Sequence, residues 1–227
     1  MLIQRYDYKP ISRQTNEGKR HYCLPDGSKV PSVTTILEAT KSEESKRALF
    51  EWRKRTGEKK AQEITTEAAN RGTRMHTYLE NYVKSGQLKA PGSNPYAQQS
   101  HKMAEIVIAE GLAHVNEVWG MEVPLYCSGL YAGTSDCVGL WKSRPAIMDF
   151  KQTNKPKRRD WIEDYFLQIA AYALAHNETH GTDIKTGAVL MCSKDYQFQL
   201  FEVNESEFQT YIDKWLDRVE RFYRINT

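Results

Sequence analysis

Two aspartates and a lysine are the residues of this chain best suited to hydrolytic chemistry. Asp136 ends the segment Gly133-Thr134-Ser135-Asp136, and thirteen positions later Asp149 opens the segment Asp149-Phe150-Lys151. Apolar residues on both sides of a turn at 142–145 predict two strands of a hairpin. Such a hairpin would bring Asp136 beside Asp149, with Lys151 two residues further along the same face.

Two carboxylates that meet at one point repel each other unless a cation lies between them. A hard divalent ion, Mg²⁺ or Mn²⁺, with water in its open positions is the expected occupant. A lysine at its edge can orient or deprotonate a metal-bound water, or neutralise the charge of a phosphate. The three residues therefore predict a hydrolytic site for a phosphodiester. The alternative is two surface aspartates on a hairpin with an unrelated lysine nearby.

A second Asp-x-Lys triplet, Asp183-Ile184-Lys185, follows Gly181 in a predicted loop. No acidic residue on a paired strand precedes this triplet, so we assign it no chemistry. The first triplet differs because Asp136 precedes it and a predicted helix with Gln168 and Tyr172 follows it.

Four short blocks of sequence, in a fixed order and spacing, accompany the first triplet. They are Arg71-Gly72-Thr73-x-x-His76-x-x-x-Glu80, Gly133-Thr134-Ser135-Asp136, Asp149-Phe150-Lys151 and Gln168-Ile169-Ala170-Ala171-Tyr172, after an opening Pro31-Ser32-Val33-Thr34-Thr35-Ile36-Leu37. Through these blocks the chain resembles the PD-(D/E)XK nuclease superfamily, in the RecB-like branch of mitochondrial genome maintenance exonucleases and related phage exonucleases. The resemblance extends over about residues 20 to 220. Ser135, where the superfamily's name has proline, is a departure common in this branch.

The resemblance implies an Mg²⁺- or Mn²⁺-dependent deoxyribonuclease that acts as an exonuclease and prefers single-stranded DNA. Lys151 would position the attacking water or stabilise the pentacovalent transition state. The family uses the carbonyl between the aspartate and the lysine as a metal ligand. The implied ligands are His76, Asp136, Asp149 and the Phe150 backbone carbonyl. A structure-specific endonuclease on the same fold and a non-catalytic nucleic-acid-binding module remain alternatives.

Four further residues are candidates for supporting this site. Glu80 follows His76 by four positions on a predicted helix and is expected to orient it, unless the histidine is only a surface residue. Glu122, on the first predicted core strand, either lies near the metal or faces solvent at an edge. Gln168 and Tyr172 either support the site and contact DNA or are simply one polar and one aromatic residue on a helix face.

Basic and hydroxyl side chains supply the candidate DNA contacts. A basic run follows the predicted metal strand directly, which favours phosphate contact. A second run within 53–60 is as readily a solvated face. A helix start near Ser32 and Thr35 either binds a phosphate or is only capped by Ser32. The predicted DNA-binding residues are Ser32, Thr35, Arg71, Lys155, Lys157 and Arg158.

Composition limits the class of protein. The 227 residues are 40% apolar and 27% charged, as in soluble globular proteins, and no apolar run is long enough to span a membrane. The four cysteines are widely spread, so we expect reduced thiols and no iron–sulfur cluster. No Gly-x-x-x-x-Gly-Lys-Ser/Thr motif is present, so we expect no nucleotide cofactor. The absence of a transit peptide favours a phage or bacterial origin and a cytoplasmic location, which is the host cytoplasm for a phage protein.

Hydrophobic periodicity predicts one α/β domain, with an N-terminal hairpin and helical section over 1–90 and a core over 91–227. The resemblance implies that this is a nuclease domain whose catalytic core, αβββαβ with a central mixed sheet flanked by helices, is restriction-endonuclease-like. The sequence leaves the oligomeric state open, and we favour a monomer. Predicted elements are a hairpin over 3–24 turning at 14–18; helices over 32–37, 45–55, 62–84, 96–118, 161–176 and 205–223; and strands over 121–126, 131–141, 146–151, 186–192 and 197–203.

Overall fold

A small antiparallel sheet lies near the N-terminus. The structure, a computed structural model, describes residues 2–16 and 19–226, without the side chains of Asn16 and Lys19. Strand β1 (Ser12–Asn16) pairs with β2 (Lys19–Cys23), and β2 pairs with β3 (Lys29–Pro31). The predicted hairpin over 3–24 is therefore shorter than expected, and residues 17–18 of its predicted turn lie outside the described residues.

Three helices follow this sheet. They are α1 (Val33–Ala39), α2 (Glu43–Thr56) and α3 (Glu58–Ser85). Ser32 caps α1 by accepting a hydrogen bond from the Thr35 backbone N–H, as the sequence predicted for a helix beginning there. The long helix α3 begins four residues earlier than predicted and places its buried side chains on one face.

The predicted helix over 96–118 is wrong in its last third. Helix α4 (Pro95–Ile106) gives way to a π turn and a 3₁₀ turn, and strand β4 (Val115–Cys127) begins within the predicted helix. Val115 and Val118 continue the helical spacing of α4, but both are buried in the sheet. An apolar residue buried in a strand and one buried in a helix look alike at this spacing.

A mixed five-stranded sheet forms the centre of the molecule. The elements after β4 are β5 (Tyr131–Trp141), β6 (Arg144–Thr153), α5 (Glu163–His180), β7 (Thr186–Ser193), β8 (Phe198–Val203) and α6 (Glu205–Asn226). The spatial order of the sheet is β4-β5-β6-β7-β8, and only the β6–β7 pair is parallel. The parallel pair requires a crossover, which α5 supplies. The predicted order of helix, three strands, helix and strand is confirmed.

The turn between β5 and β6 is tighter than predicted. It consists of Lys142 and Ser143, both with left-handed φ angles of 47° and 65°, so Arg144 and Pro145 already belong to β6. Two successive left-handed residues match the right-handed twist of the strands they join. The turn sets the register in which Cys137 lies opposite Met148. Just beyond this pair, the side chain of Asp136 accepts a hydrogen bond from the Phe150 backbone N–H, next to Asp149 in the chain.

Each face of the large sheet packs against helices. One apolar cluster joins the sheet to α3 and α4, and a second joins it to α1, α5 and α6. The small sheet packs through Tyr22 and Val30 against Ala132 of β5. Within residues 2–16 and 19–226, no helix combines the length and the apolar composition that crossing a bilayer would require.

Candidate active site

A cavity of about 500 Å³ opens where α3, α5, the large sheet and the β1–β2 hairpin meet. Most of the residues predicted to carry or support the chemistry converge on it from five elements, namely α3, α5 and the strands β4, β5 and β6. The predicted residues that line it are Ser32, His76, Glu122, Asp136, Phe150, Lys151, Gln168 and Tyr172.

Asp136 and Asp149 lie on the neighbouring strands β5 and β6, and of the two only Asp136 lines the cavity. The Phe150 backbone N–H donates a hydrogen bond of 2.8 Å to Asp136 Oδ2, which fixes this carboxylate against the neighbouring strand. The Asp136 side chain is 12% exposed, whereas that of Asp149 is 3% exposed. Asp149 is thus the more deeply buried of the two carboxylates, and Asp136 is the one that faces the cavity.

Lys151 forms a buried ion pair with Asp149. Its Nζ lies 2.7 Å from both carboxylate oxygens, but only the contact with Oδ1 has hydrogen-bond geometry. Among the described residues, the buried Oδ2 therefore has no hydrogen-bond donor. Burial, and then the charge of Asp136, raise the pKa of Asp149 to about 6 although Lys151 opposes the shift. Burial lowers the pKa of Lys151, but Asp149 and Asp136 outweigh it and raise that pKa, so the ammonium stays charged.

His76 reaches the cavity from α3. Its Nε2–H donates to the Phe150 carbonyl oxygen at 2.8 Å, and its Nδ1 lies 3.6 Å from both Glu122 Oε1 and Asp136 Oδ1. Burial lowers the pKa of His76, but the nearby carboxylates of Asp136 and Glu122 outweigh it and raise the pKa to about 9. The imidazolium therefore balances part of the negative charge of these carboxylates.

Glu122 approaches His76 through an unusual backbone conformation. Its φ angle is +51°, in the left-handed region that residues with a side chain seldom adopt. Register shifts in β4 occur just before it, between Val118 and Gly120. A strained residue beside a group of ionisable side chains is a common feature of functional sites.

The donor set suits a divalent cation. One ligand atom each from His76, Glu122 and Asp136 lie within 4.8 Å of one another. That separation fits ligands around one ion, because metal–ligand distances are about 2.0–2.6 Å. Asp149 Oδ2, which has no hydrogen-bond donor in the described chain but lies 2.7 Å from Lys151 Nζ, is a further carboxylate oxygen on the neighbouring strand. Carboxylate oxygens with one imidazole favour a hard or borderline divalent metal.

This donor set differs from the predicted one. The resemblance implied Asp149 and the Phe150 carbonyl as ligands; in the structure Asp149 pairs with Lys151 and the carbonyl accepts from His76. Glu122, predicted only as a supporting residue, lies within the cluster of possible ligands.

Residues of helix α5 contact Lys151 inside the cavity. Gln168 Oε1 accepts a hydrogen bond of 3.3 Å from Lys151 Nζ, and Gln168 Nε2 donates to the Tyr172 hydroxyl at 3.2 Å. The Tyr172 ring lies over Gly133, where a Cβ would come within 2.7 Å of the ring. Gly133 therefore serves as a close-approach position for Tyr172.

Glu80 does not lie where the sequence placed it. Its carboxylate accepts a hydrogen bond from Lys84, one turn further along α3, and no hydrogen bond or ion pair joins it to His76 within the described chain. The i,i+4 spacing that predicted a pair with His76 equally allows one with Lys84. Glu122, from a different element, occupies the position expected of Glu80.

Several predicted DNA-binding residues lie outside the cavity. Arg71 is buried, and its guanidinium donates to Gln152 Oε1 at 2.9 Å and to Asn154, so it joins α3 to the end of β6. Arg158 forms a bidentate pair with Asp160. The other predicted DNA-binding residues that do not line the cavity are Thr35, Lys155 and Lys157.

The structure also adds cavity residues that the sequence did not single out. Tyr165 lies one turn before Gln168 on α5, and Lys151 Nζ is 5.0 Å from the centre of its ring. Helical spacing from Gln168 could have found Tyr165, but only the fold brings the N-terminal hairpin to the site. The missed residues include Arg13, Arg20, Tyr22, Thr34, Gln152 and Tyr165.

Comparisons with known proteins find relatives in sequence and in fold. No family model matches the chain. Three proteins named mitochondrial genome maintenance exonuclease 1 are similar in sequence. The Xenopus tropicalis protein is 28% identical over 209 residues, covering 85% of this chain and 57% of that protein. The Mus musculus protein is 26% identical over 234 residues (94% and 67%), and the Homo sapiens protein 26% over 205 residues (85% and 58%).

The chain therefore spans between 57% and 67% of the length of these relatives. Among solved structures, a Eubacterium rectale protein named "putative exonuclease" is similar in fold, with a TM-score of 0.51 and 12% identity. The similarity covers 70% of this chain and 67% of that one. The resemblance to PD-(D/E)XK nucleases that the sequence predicted is confirmed.

Proposed function

We propose that this chain is a metal-dependent nuclease that hydrolyses single-stranded DNA from a free end. The observation that carries the proposal is the meeting of two functions in one cavity. The cluster of His76, Glu122 and Asp136 can bind a divalent cation, and the buried Asp149–Lys151 pair lies directly beside it. The similarity in sequence to exonucleases supports the same reaction class.

The residues of the cluster would hold Mg²⁺ or Mn²⁺, together with Asp149 through Oδ2, the oxygen that accepts no hydrogen bond in the described chain. When bound, such an ion supplies charge stabilisation on a phosphoryl oxygen and a more acidic water. Binding requires a neutral imidazole, so His76 must release its proton. The Phe150 carbonyl, which holds the other imidazole nitrogen, would orient the ring.

Lys151 would act as a fixed positive charge. Its raised pKa disfavours loss of the proton, so the lysine is suited to stabilising an anion and not to accepting a proton. Asp149, Gln168 and the Tyr165 ring hold its ammonium group in place. A preorganised charge of this kind stabilises the negative charge that builds up as the phosphodiester is attacked.

The walls of the cavity support a single strand as substrate. The small sheet and α3 both line the same cavity as β5 and β6, so the approach to Asp136 is bounded on two sides. A flexible single strand can enter such a channel more readily than a duplex. Tyr165 and Tyr172 are aromatic residues of the same cavity, and aromatic side chains are common in sites for single strands.

Digestion of an end-labelled single-stranded oligonucleotide tests this proposal. Cleavage should occur with Mg²⁺ or Mn²⁺ and stop with EDTA. A circular single strand of the same sequence should survive, because it has no free end; its cleavage would identify an endonuclease. Faster digestion of blunt duplex at matched salt would contradict the single-strand preference. No cleavage under any metal would leave a binding module as the function.

A further inference from the structure

Two arginines of the small sheet line the wall of the cavity that faces the metal cluster. In the β1–β2 register Arg13 lies opposite Tyr22, and Arg20 lies opposite Thr15. Residues directly opposite or two apart share a face of a sheet. Tyr22 is buried against β5, so this is the face that packs toward the site, and both arginines line the cavity.

Neither guanidinium has a protein partner within residues 2–16 and 19–226, where no hydrogen bond or ion pair of either side chain occurs. Other arginines near the site are occupied: Arg71 by two amides, Arg158 by Asp160 and Arg159 by Glu207. Two neighbouring guanidinium groups repel each other unless an anion lies between them. The pair is therefore available for an anion that enters the cavity.

The backbone of Arg20 is held firmly. Its N–H donates to Thr35 Oγ1 at 3.1 Å, and its carbonyl accepts from Thr35 Oγ1 at 3.0 Å and from the Ser32 N–H at 2.9 Å. These bonds join β2 to the start of α1. The Cα of Arg20 is therefore fixed relative to α1, so that binding a ligand requires ordering of its side-chain torsions and not of its backbone.

We infer that Arg13 and Arg20 together bind a backbone phosphate of the strand whose neighbouring phosphodiester lies at the metal cluster. This inference rests on the proposed function and names how the site holds its substrate. Guanidinium groups bind phosphate oxygens through paired N–H donors, which gives orientation as well as charge. Because a phosphate carries no base information, this contact is independent of sequence. The phosphate is either internal or at the end of the strand.

Binding of a fluorescent single-stranded oligonucleotide in EDTA tests the inference without cleavage. The double variant Arg13→Ala/Arg20→Ala should weaken binding about thirtyfold or more, as for loss of charged hydrogen bonds. The slope of log affinity against log salt should fall by about 0.7, the value for one phosphate contact on a single strand. In Mn²⁺, the double variant should raise KM by a similar factor and change kcat little.

Lys29→Ala is the matched control. Lys29 belongs to the same sheet but lies opposite Cys23, on the other face, and does not line the cavity. The double variant should melt at the same temperature as the control, because both arginines are exposed. Arg13→Lys/Arg20→Lys should keep the salt slope but recover only part of the affinity, since lysine lacks the paired donors.

Oligonucleotides with and without a 5′- or 3′-phosphate distinguish a contact with an internal phosphate from a contact with a terminal one. An end phosphate that strengthens binding to the wild type but not to the double variant identifies a terminal contact; equal weakening for every end identifies an internal one. The inference is overturned if the double variant binds and cleaves like Lys29→Ala while the wild type is active. Failure of the proposed function differs, because the wild type would then cleave nothing in any metal.

Discussion

The chain contains the same three-residue pattern twice, in two very different settings. In both Asp149-Phe150-Lys151 and Asp183-Ile184-Lys185 the lysine reaches back to the aspartate, with N–O distances of 2.7 and 2.8 Å. The side chains of the first pair are 3% and 19% exposed, but those of the second are 75% and 49% exposed. The local motif and its ion pair are alike, so the difference lies in what surrounds them.

Burial is the property that suits the first pair to catalysis. It raises the pKa of Asp149, whose carboxylate also lies close to Asp136, and it leaves one oxygen without a hydrogen-bond donor in the described chain. At the second pair the hydrogen bond with Asp183 raises the pKa of Lys185, but water screens both charges. An Asp-x-Lys motif therefore indicates a site only where a second strand and a covering helix remove it from water.

The largest expected contrast is between the two aspartates. Asp149→Asn should reduce cleavage of single-stranded DNA below detection, because it removes a buried negative charge beside the metal cluster. Asp183→Asn should leave the rate unchanged, because its carboxylate is exposed and far from the cavity residues. Single-turnover cleavage with Mn²⁺, on variants shown to be folded by circular dichroism, measures both. An equal loss of cleavage rate in the two variants would show that burial does not distinguish the two aspartates.

The two lysines should differ somewhat less. Lys151→Ala should lower the single-turnover rate by about 10²-fold or more at saturating DNA, as for other groups that stabilise transition-state charge. Its DNA affinity should fall only modestly, since other cations line the cavity. Lys185→Ala should match the wild type, and Lys157→Ala is a second control from the basic run. A near wild-type rate for saturated Lys151→Ala would show that this lysine only tethers DNA.

The smallest expected effect is the release of the His76 proton when Mn²⁺ binds. The pKa of His76 is raised from 6.5 to about 9, so at pH 7.5 the metal-free protein carries a proton there that a metal must displace. Mn²⁺ binding should release up to one proton at that pH, and affinity should rise with pH until about 9. Without metal the sign reverses for folding: the stabilisation by His76 is complete below pH 6.5 and is lost as the pH rises through about 9.

Calorimetric Mn²⁺ titrations at pH 7.5, in two buffers that differ in ionisation enthalpy, count this proton. His76→Gln is the control and should release none, while Asp183→Asn should release as much as the wild type. Proton release that is unchanged in His76→Gln would place the titrating group elsewhere.

Much of the architecture follows from the sequence because local patterns agree with the fold. Period-two alternation predicted β5 and β6, and the turn chemistry at Lys142 predicted their pairing, which brings Asp136 to Asp149. The end of α4 could not be found this way. Val115 and Val118 continue a helical spacing, but they are buried by the sheet. Periodicity reports which residues are buried and not what covers them.

The site was predictable where its residues lie close in sequence. Gln168, Tyr172 and Lys151 reach the cavity from elements that follow one another along the chain. Glu122 reaches it because its own backbone in β4 is left-handed, and the sequence carries no turn signal for that conformation. Arg13 and Arg20 come from a hairpin more than a hundred residues before the metal strands, and only tertiary packing brings them to the site.

Electron paramagnetic resonance of Mn²⁺ tests most directly whether this cavity binds a catalytic divalent cation. Asp136 belongs to the cluster of possible ligands, whereas Asp183 is exposed and lies outside it. The wild type and Asp183→Asn should bind Mn²⁺ alike, and Asp136→Asn should bind it about tenfold more weakly or worse. Undiminished Mn²⁺ binding by folded Asp136→Asn would contradict the account.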